Sequence, residues 1–410
     1  MIDRRQLLTG ASASAVVALG LGTASRANAQ DGPIKVGSIL DLSGGLEIYG
    51  KPPADAATFA VEELNAQGGL LDREVELILF DSQSDMQLYA QYAQELALKH
   101  QVHAAHAGIT SASREVIRPV FGRFNTLYFY NMQYEGGVCD RNTFATGVTP
   151  AQTIQKLVPH AMGMWGKKVY QVSADYNYGQ ITSKWVRRYV EENGGEIVGD
   201  DFFPLNVTEF GPAIGQVTGS GCDILWSSLV GGAHMGFYRQ WGAAGMLGKI
   251  PIASTTFALG NEHIMLNPSE VNGLRVSYNY FQEIETPANQ AFVEKWHARF
   301  GADYPYISEL AMSTYQGIML WAEAVRTAGT TDRMALIETL ETGIGIDAPS
   351  GRVTIHPQTH HVLVDVHIAE VQDHAMRVVE TFPQQPPTDT AEVCDLIQNP
   401  DDNQQYEPKV

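Results

Sequence analysis

The chain holds few residues arranged for bond-making chemistry. No serine occupies a Gly-x-Ser-x-Gly turn, the pattern that exposes a nucleophile. Cys139, in Gly137-Val138-Cys139-Asp140, has no neighbouring His or Lys to lower its pKa. His356, His360, His361 and His367 lie on or near one strand pattern, where alternate residues face opposite sides. His360 and His361 should therefore point apart, which makes a poor joint metal site. No metal, no cofactor and no enzyme activity are expected. What remains is hydrogen bonding. Thr110-Ser111-Ala112 leads into a helix, and the first backbone N–H groups of a helix lack partners. The hydroxyls of Tyr130 and Tyr176 and the side-chain oxygen of Gln133 are acceptors. Each has a plainer role available: Ser111 is a favoured N-cap type, and Tyr130 suits an ordinary strand.

These residues are positioned by an alternation of strands and helices. Strands are predicted at 34–40, 75–80, 104–108 and 127–130, with helices at 53–67, 87–99 and 111–124 between them. The pattern then starts over. Helices at 153–165, 181–193 and 234–244 alternate with strands at 168–174, 197–203, 224–229 and 250–254. Such alternation calls for a parallel sheet covered by helices on both faces. Ligands of such sheets bind beyond the carboxyl ends of strands, where Tyr176, Val230 and Thr255 fall. Three helices, 287–300, 308–328 and 332–341, then return to the first unit. A hairpin of 351–356 with 361–371 follows, and the Pro-, Gln- and Asp-rich stretch 383–410 reads as an irregular tail.

The chain has 410 residues, of which 44% are hydrophobic, and a formal charge of −19. That supports buried cores and argues against nucleic-acid or anionic-lipid partners. The start, Arg4-Arg5-Gln6-Leu7-Leu8, an uncharged stretch from Thr9 to Ser25, and Ala27-Asn28-Ala29, reads as a twin-arginine signal peptide cleaved near Ala29. Removing its three Arg and one Asp leaves 24 basic and 45 acidic residues, a net charge of about −21. No Cys stands near the cleavage site, so a free periplasmic protein, monomeric as exported binding proteins usually are, is expected. In that oxidising compartment Cys139 and Cys394, both in polar stretches, are predicted to pair, while Cys222 is a buried small hydrophobe.

Several motifs carry a resemblance. They are Gly108-Ile109-Thr110-Ser111-Ala112-Ser113-Arg114, Gln133-Tyr134-Glu135-Gly136, Asp175-Tyr176, Val230-Gly231 and Pro357-Gln358-Thr359-His360-His361. With Asp41-Leu42-Ser43-Gly44 and Leu64-Asn65-Ala66-Gln67-Gly68-Gly69 they resemble the type I periplasmic solute-binding proteins of ABC importers, within the Leu/Ile/Val-binding-like superfamily and nearest its urea and short-chain amide branch. The resemblance spans nearly all of the mature chain. It implies an α/β fold of two Rossmann-like lobes joined by three hinge strands, crossing near 147–152, 275–283 and 345–352. After a signal segment 1–29, residues 30–148 with 279–347 would form the N-terminal lobe and 149–278 with 348–382 the C-terminal lobe.

The same resemblance implies that Thr110, Ser111 and Tyr130 hold a ligand from the first lobe and Tyr176 and Val230 from the second, with Ala112, Gln133 and Thr255 beside them. Urea and small amides are neutral and planar, with one strong acceptor oxygen and at least two N–H groups, all of which a dry pocket must satisfy. Relatives that bind amino acids need a carboxylate for the ammonium. It usually follows the strand that here is 250–254, where this sequence reads Ser254-Thr255-Thr256-Phe257-Ala258. Glu47 or Glu262 would have to substitute. The expected ligand is therefore urea or a short-chain amide, handed to a membrane permease, with a branched-chain amino acid as the alternative.

Overall fold

The computed structural model describes residues 32–409, so the predicted signal segment lies outside the described residues. In chain order the strands are β1 (Ile34–Leu40), β2 (Val75–Asp81), β3 (Ala104–Ala107), β4 (Leu127–Tyr130), β5 (Val138–Asp140), β6 (Thr143–Ala145), β7 (Lys168–Ala174) and β8 (Glu196–Phe203). They continue with β9 (Ile224–Ser228), β10 (Ile252–Ser254), β11 (Arg275–Tyr278), β12 (Gly345–Ala348), β13 (Gly351–His356), β14 (His361–Gln372), β15 (Ala375–Gln385) and β16 (Asn403–Gln405).

One sheet runs in the order β2-β1-β3-β4-β6-β14-β11-β10-β9-β7-β8. Its two halves repeat one topology. In β2-β1-β3-β4-β6 and in β8-β7-β9-β10-β11 alike, the second strand lies outside the first and the others follow in sequence, all in parallel. This order has its switch point between the first and third strands, the place where such sheets bind ligands. The fold is thus the expected doubly wound α/β architecture.

Close backbone approach explains where two helices begin. The helix predicted from residue 53 runs over Glu47–Ala66, carrying Pro52 and Pro53 inside it. A Cβ on Gly50 would fall 1.9 Å from the Asp41 carbonyl oxygen, so only glycine lets this first turn lie against the end of β1. The helix predicted from 181 begins four residues earlier, as Asn177–Glu192, and a Cβ on Gly179 would fall 1.9 Å from the Ala174 carbonyl at the end of β7. The two glycines serve the same purpose in the two halves.

The three later helices do return to the first half. Phe59 packs on Phe292 and Trp296 at ring separations of 5.7 and 5.3 Å, and Glu63 accepts from Tyr315 at 2.6 Å. The crossing expected at 345–352 lies elsewhere. Those residues fall on β12 and β13, a hairpin that belongs to the first half. It is β14 that passes between the halves: His361 pairs with Ala145 of β6, and His367 to Glu370 pair antiparallel with β11. The stretch 383–410, predicted irregular, also carries structure. Its described part finishes β15, forms the short helix Thr388–Ala391, and adds β16 antiparallel to β5. Short β5 and β6, and the helix Gly211–Gly219, had no clear sequence signal.

Cys139 and Cys394 form a disulfide across a separation of 255 residues, and Cys222 is buried and free. Closing so long a loop restrains the unfolded chain by about 5 kcal/mol in the chain-entropy model. The Cys139→Ser/Cys394→Ser double variant should therefore unfold at a clearly lower denaturant midpoint than the oxidised protein, and the reduced wild type should follow it. Equal midpoints would show that the bond constrains nothing.

Candidate functional site

The first switch point is built from the end of β3. Ile109 and Thr110 lead into the helix Ser111–Phe124, and Thr110, not Ser111, is the N-cap. The Thr110 hydroxyl accepts from the Ser113 amide at 3.1 Å, and Ser113 Oγ accepts from the Thr110 amide at 3.1 Å, a reciprocal capping box. The cap reaches no further. The Ser111 and Ala112 amides stand at the open helix start, where the helix dipole favours an acceptor oxygen.

Beneath them lies a buried ion pair. Arg114 Nη2 meets Glu135 Oε1 at 2.8 Å, with both side chains almost fully buried. Arg114 also donates to Glu115 at 2.8 Å, and its guanidinium lies 4.5 Å from the centre of the Tyr134 ring and 5.1 Å from that of Tyr130. The Ser111 hydroxyl donates to Glu135 Oε2 and accepts from Arg114 Nη1 at 3.3 Å. Its proton is thus used inside the protein. In the structure that hydroxyl offers a ligand only lone-pair density, and donation falls to the backbone amides.

Tyr130, at the end of β4, behaves likewise. Its hydroxyl donates to the Ile109 carbonyl at 3.0 Å, leaving oxygen lone pairs free. Burial raises the pKa of Tyr130 and Tyr176, so both stay neutral. Gln133 spends its amide N–H groups on the Thr255 carbonyl and, at 3.4 Å, on the Tyr178 hydroxyl, leaving Oε1 as an acceptor.

The second switch point supplies the facing wall. Tyr176 is the N-cap residue of the helix after β7, and Val230 follows β9. The Tyr176 hydroxyl makes no hydrogen bond among the described residues. Tyr49 joins the halves: its hydroxyl donates to Glu262 Oε1 at 2.9 Å and accepts from the Gly231 amide at 3.1 Å.

Thr110, Ser111, Tyr130, Gln133, Tyr176 and Val230 line one cavity of about 40 Å³, together with Tyr49, Ile109, Met132, Tyr178, Thr256, Leu259 and Leu310. Two predicted residues are off this wall. Ala112, one residue further into the helix, does not reach the cavity, and neither does Thr255, whose neighbour Thr256 lines it instead. Tyr178 could have been suspected from its spacing to Tyr176. Leu310 and Leu259 had no signal, because distant elements bring them in.

Among the described residues no charged side chain lines the cavity. Glu47 pairs with Lys51 at 3.5 Å on the helix surface. Glu262 is buried behind Tyr49, where burial pushes its carboxyl up to about 7. The histidines are held structurally. His360 stacks on Phe144 at 4.2 Å and meets Glu341 at 3.2 Å, while His361 contacts the Tyr134 hydroxyl. No cluster of three or more metal-ligating side chains is found among the described residues, and no helix among them is long and apolar enough to cross a membrane.

A family model described as a periplasmic binding protein domain matches residues 34–385. A relative from Brucella melitensis, named Leu/Ile/Val-binding protein homolog 6, is 23% identical over 372 residues, covering 87% of this chain and 92% of that protein. Among solved structures, an amino acid ABC transporter substrate-binding protein from Pseudomonas fluorescens is similar with a TM-score of 0.78 at 18% identity, over 89% of this chain and 99% of the other. A solute-binding protein of an ABC transporter from Rhodopseudomonas palustris, in complex with 3,4-dihydroxybenzoic acid, is similar with a TM-score of 0.77 at 20% identity, over 87% and 98%.

The buried acids set a pH dependence. Glu262 and Glu309 are raised to about 7 and Asp389 to about 6, all chiefly by burial. Each holds its proton in the fold at a pH where the unfolded chain has released it. Their contribution is therefore fully present below the ordinary carboxylate range and is lost as pH rises towards 7. Thermal stability should fall between pH 5 and 8. Glu262→Gln, which can still accept from Gly260 and contact Tyr49, should flatten that slope and gain about 3 kcal/mol on wild type at pH 8. Parallel profiles for the two proteins would mean that Glu262 is not the responsible group.

Proposed function

The chain belongs to the periplasmic binding protein family, a family of solute-binding transport components rather than enzymes, and we propose that its solute is urea or a short-chain amide, captured for the permease of an ABC importer. One observation carries this reading. The protons of Ser111 and Tyr130 are spent inside the protein, while the capping box leaves the amide of the lining residue Ser111 uncapped. The site therefore offers a small donor pole and several acceptors: Tyr130 Oη, Gln133 Oε1 and Tyr176 Oη. A neutral planar molecule with one carbonyl oxygen and several N–H groups complements that pattern. An unpaired polar group there would cost roughly 1–3 kcal/mol, so the arrangement discriminates.

Size supports the same reading. A cavity of about 40 Å³ is equivalent to roughly three water-sized spheres, whereas a cavity of about 150 Å³ is what accepts benzene. An amino acid is the second reading, favoured by the relative's name and by Glu262. Against it, an ammonium would meet only neutral oxygens, with Glu262 committed behind Tyr49.

Capture follows as a population shift between open and closed forms. In the reading proposed here, the solute docks first at the helix start by Ser111. Closure about the crossing strands then brings Tyr176 and Val230 over it and expels water. Tyr49, bonded to Glu262 and Gly231, fastens the closed form. Export by the twin-arginine route, with cleavage near Ala29, delivers the protein to the periplasm.

Calorimetric titration with urea, formamide, acetamide, leucine and 4-hydroxybenzoate tests the ligand class. Binding by urea or an amide alone is expected. Binding by leucine would shift the assignment to the amino-acid reading, and by 4-hydroxybenzoate alone to an aromatic acid. In Ser111→Ala the amides remain but the tie to Glu135 is lost, and affinity for the bound amide should fall about fivefold. An unaltered affinity would reduce Ser111 to a helix-start residue.

A further inference from the structure

The family model ends at residue 385, and the chain beyond it returns to the ligand site. Asp389 accepts from the Thr149 hydroxyl and the Ala151 amide, each at 2.9 Å. Cys394 is bonded to Cys139, and β16 then pairs with β5, Gln404 standing opposite Cys139. The next residue, Gln405, reaches the buried ion pair. Its Oε1 accepts from Arg114 Nη2 at 2.9 Å, and its Nε2 donates to Glu135 Oε1. One amide therefore bridges both members of the pair that holds the Ser111 hydroxyl. On its other side the segment meets the second half, through Glu392 with Arg188 at 3.1 Å and Glu407 with Lys184.

We propose that residues 386–409 form a strap that positions the ligand site, with Gln405 fixing Glu135 and, through it, Ser111. The three oxygen contacts of Glu135, from Arg114, Gln405 and Ser111, leave its carboxylate one orientation. Without Gln405 one oxygen loses a donor, and Arg114 loses an acceptor. Both groups are then held by fewer partners, and the helix start that they support loosens. The strap itself stays attached, because the disulfide and the backbone pairing of β16 do not involve that side chain. Its importance for binding rests on the reading of Ser111 as a ligand contact.

The test compares the full chain with Gln405→Met, which keeps the side-chain length without the amide, and with Gln404→Met, on the exposed neighbour. Amide hydrogen exchange is followed at Ser113 and Arg114, whose N–H groups bond to Thr110, and at β5 as a check on the strap. Urea affinity is measured alongside. Gln405→Met should speed exchange at Ser113 and Arg114 about fivefold and weaken urea binding by a similar factor, with β5 unchanged. Gln404→Met should change neither. Unaltered exchange at Ser113 and Arg114 in Gln405→Met overturns the proposal, as does an equal effect from Gln404→Met. If wild type does not bind urea, the amide reading fails, and the exchange result alone decides the strap.

Discussion

The buried pair of Arg114 and Glu135 underlies the cavity wall. Neither charge is tolerable alone in that interior. Each is satisfied by a set of partners drawn from far apart in the chain: Glu115 and Ser111 on the same helix, the Tyr130 and Tyr134 rings, and Gln405 from the end of the chain. The Glu135 carbonyl also accepts from Trp185 Nε1 of the second half at 2.9 Å. The net worth of a buried pair against an apolar replacement is small. Its consequence here is geometric. It fixes which way the Ser111 hydroxyl faces, with its proton on Glu135 and its lone pairs shared with Arg114.

The repeated topology gives that chemistry a place. Each half of the sheet has its switch point between its first and third strands, and both switch points open on the same cavity: Ile109 to Ser111 from one, Tyr176 and Val230 from the other. Gly50 and Gly179 draw the first helix of each half down against the end of its strand, which puts Tyr49 and Tyr178 at the wall. The duplication is in topology rather than in residues. The first half contributes the helix start at Ser111 with Tyr49 and Tyr130, and the second contributes Tyr176, Tyr178 and aliphatic surface.

Much of this was readable from sequence because the signals are local. The helix Ser111–Phe124 and strands β1, β4 and β7 appear where hydrophobic runs and capping residues predicted them. The motifs Thr110 to Arg114 and Gln133 to Gly136, far apart in sequence, meet in the structure, where they contribute the two halves of one ion pair. The helix start at Glu47 was missed because prolines in the sequence argue for a later start, while the packing of Gly50 on Asp41 allows the earlier one. β14 was read as half of a hairpin, because its passage between the halves depends on pairing with β6 and β11, both distant in sequence.

By itself, then, the sequence determined the class of fold, the alternation that makes two similar halves, the cysteines that pair, and the helix start that offers free amides. Those follow from periodicity, capping and composition, which act over a few residues. Only the tertiary structure decided where the protons go. Whether the hydroxyls of Ser111, Tyr130 and Tyr49 donate inward or outward depends on Glu135, Ile109 and Glu262, and one of the donors to Glu135 is Gln405, 270 residues away. A hydrogen bond has direction, and the direction is set by the partner that folding brings near, which no local pattern specifies.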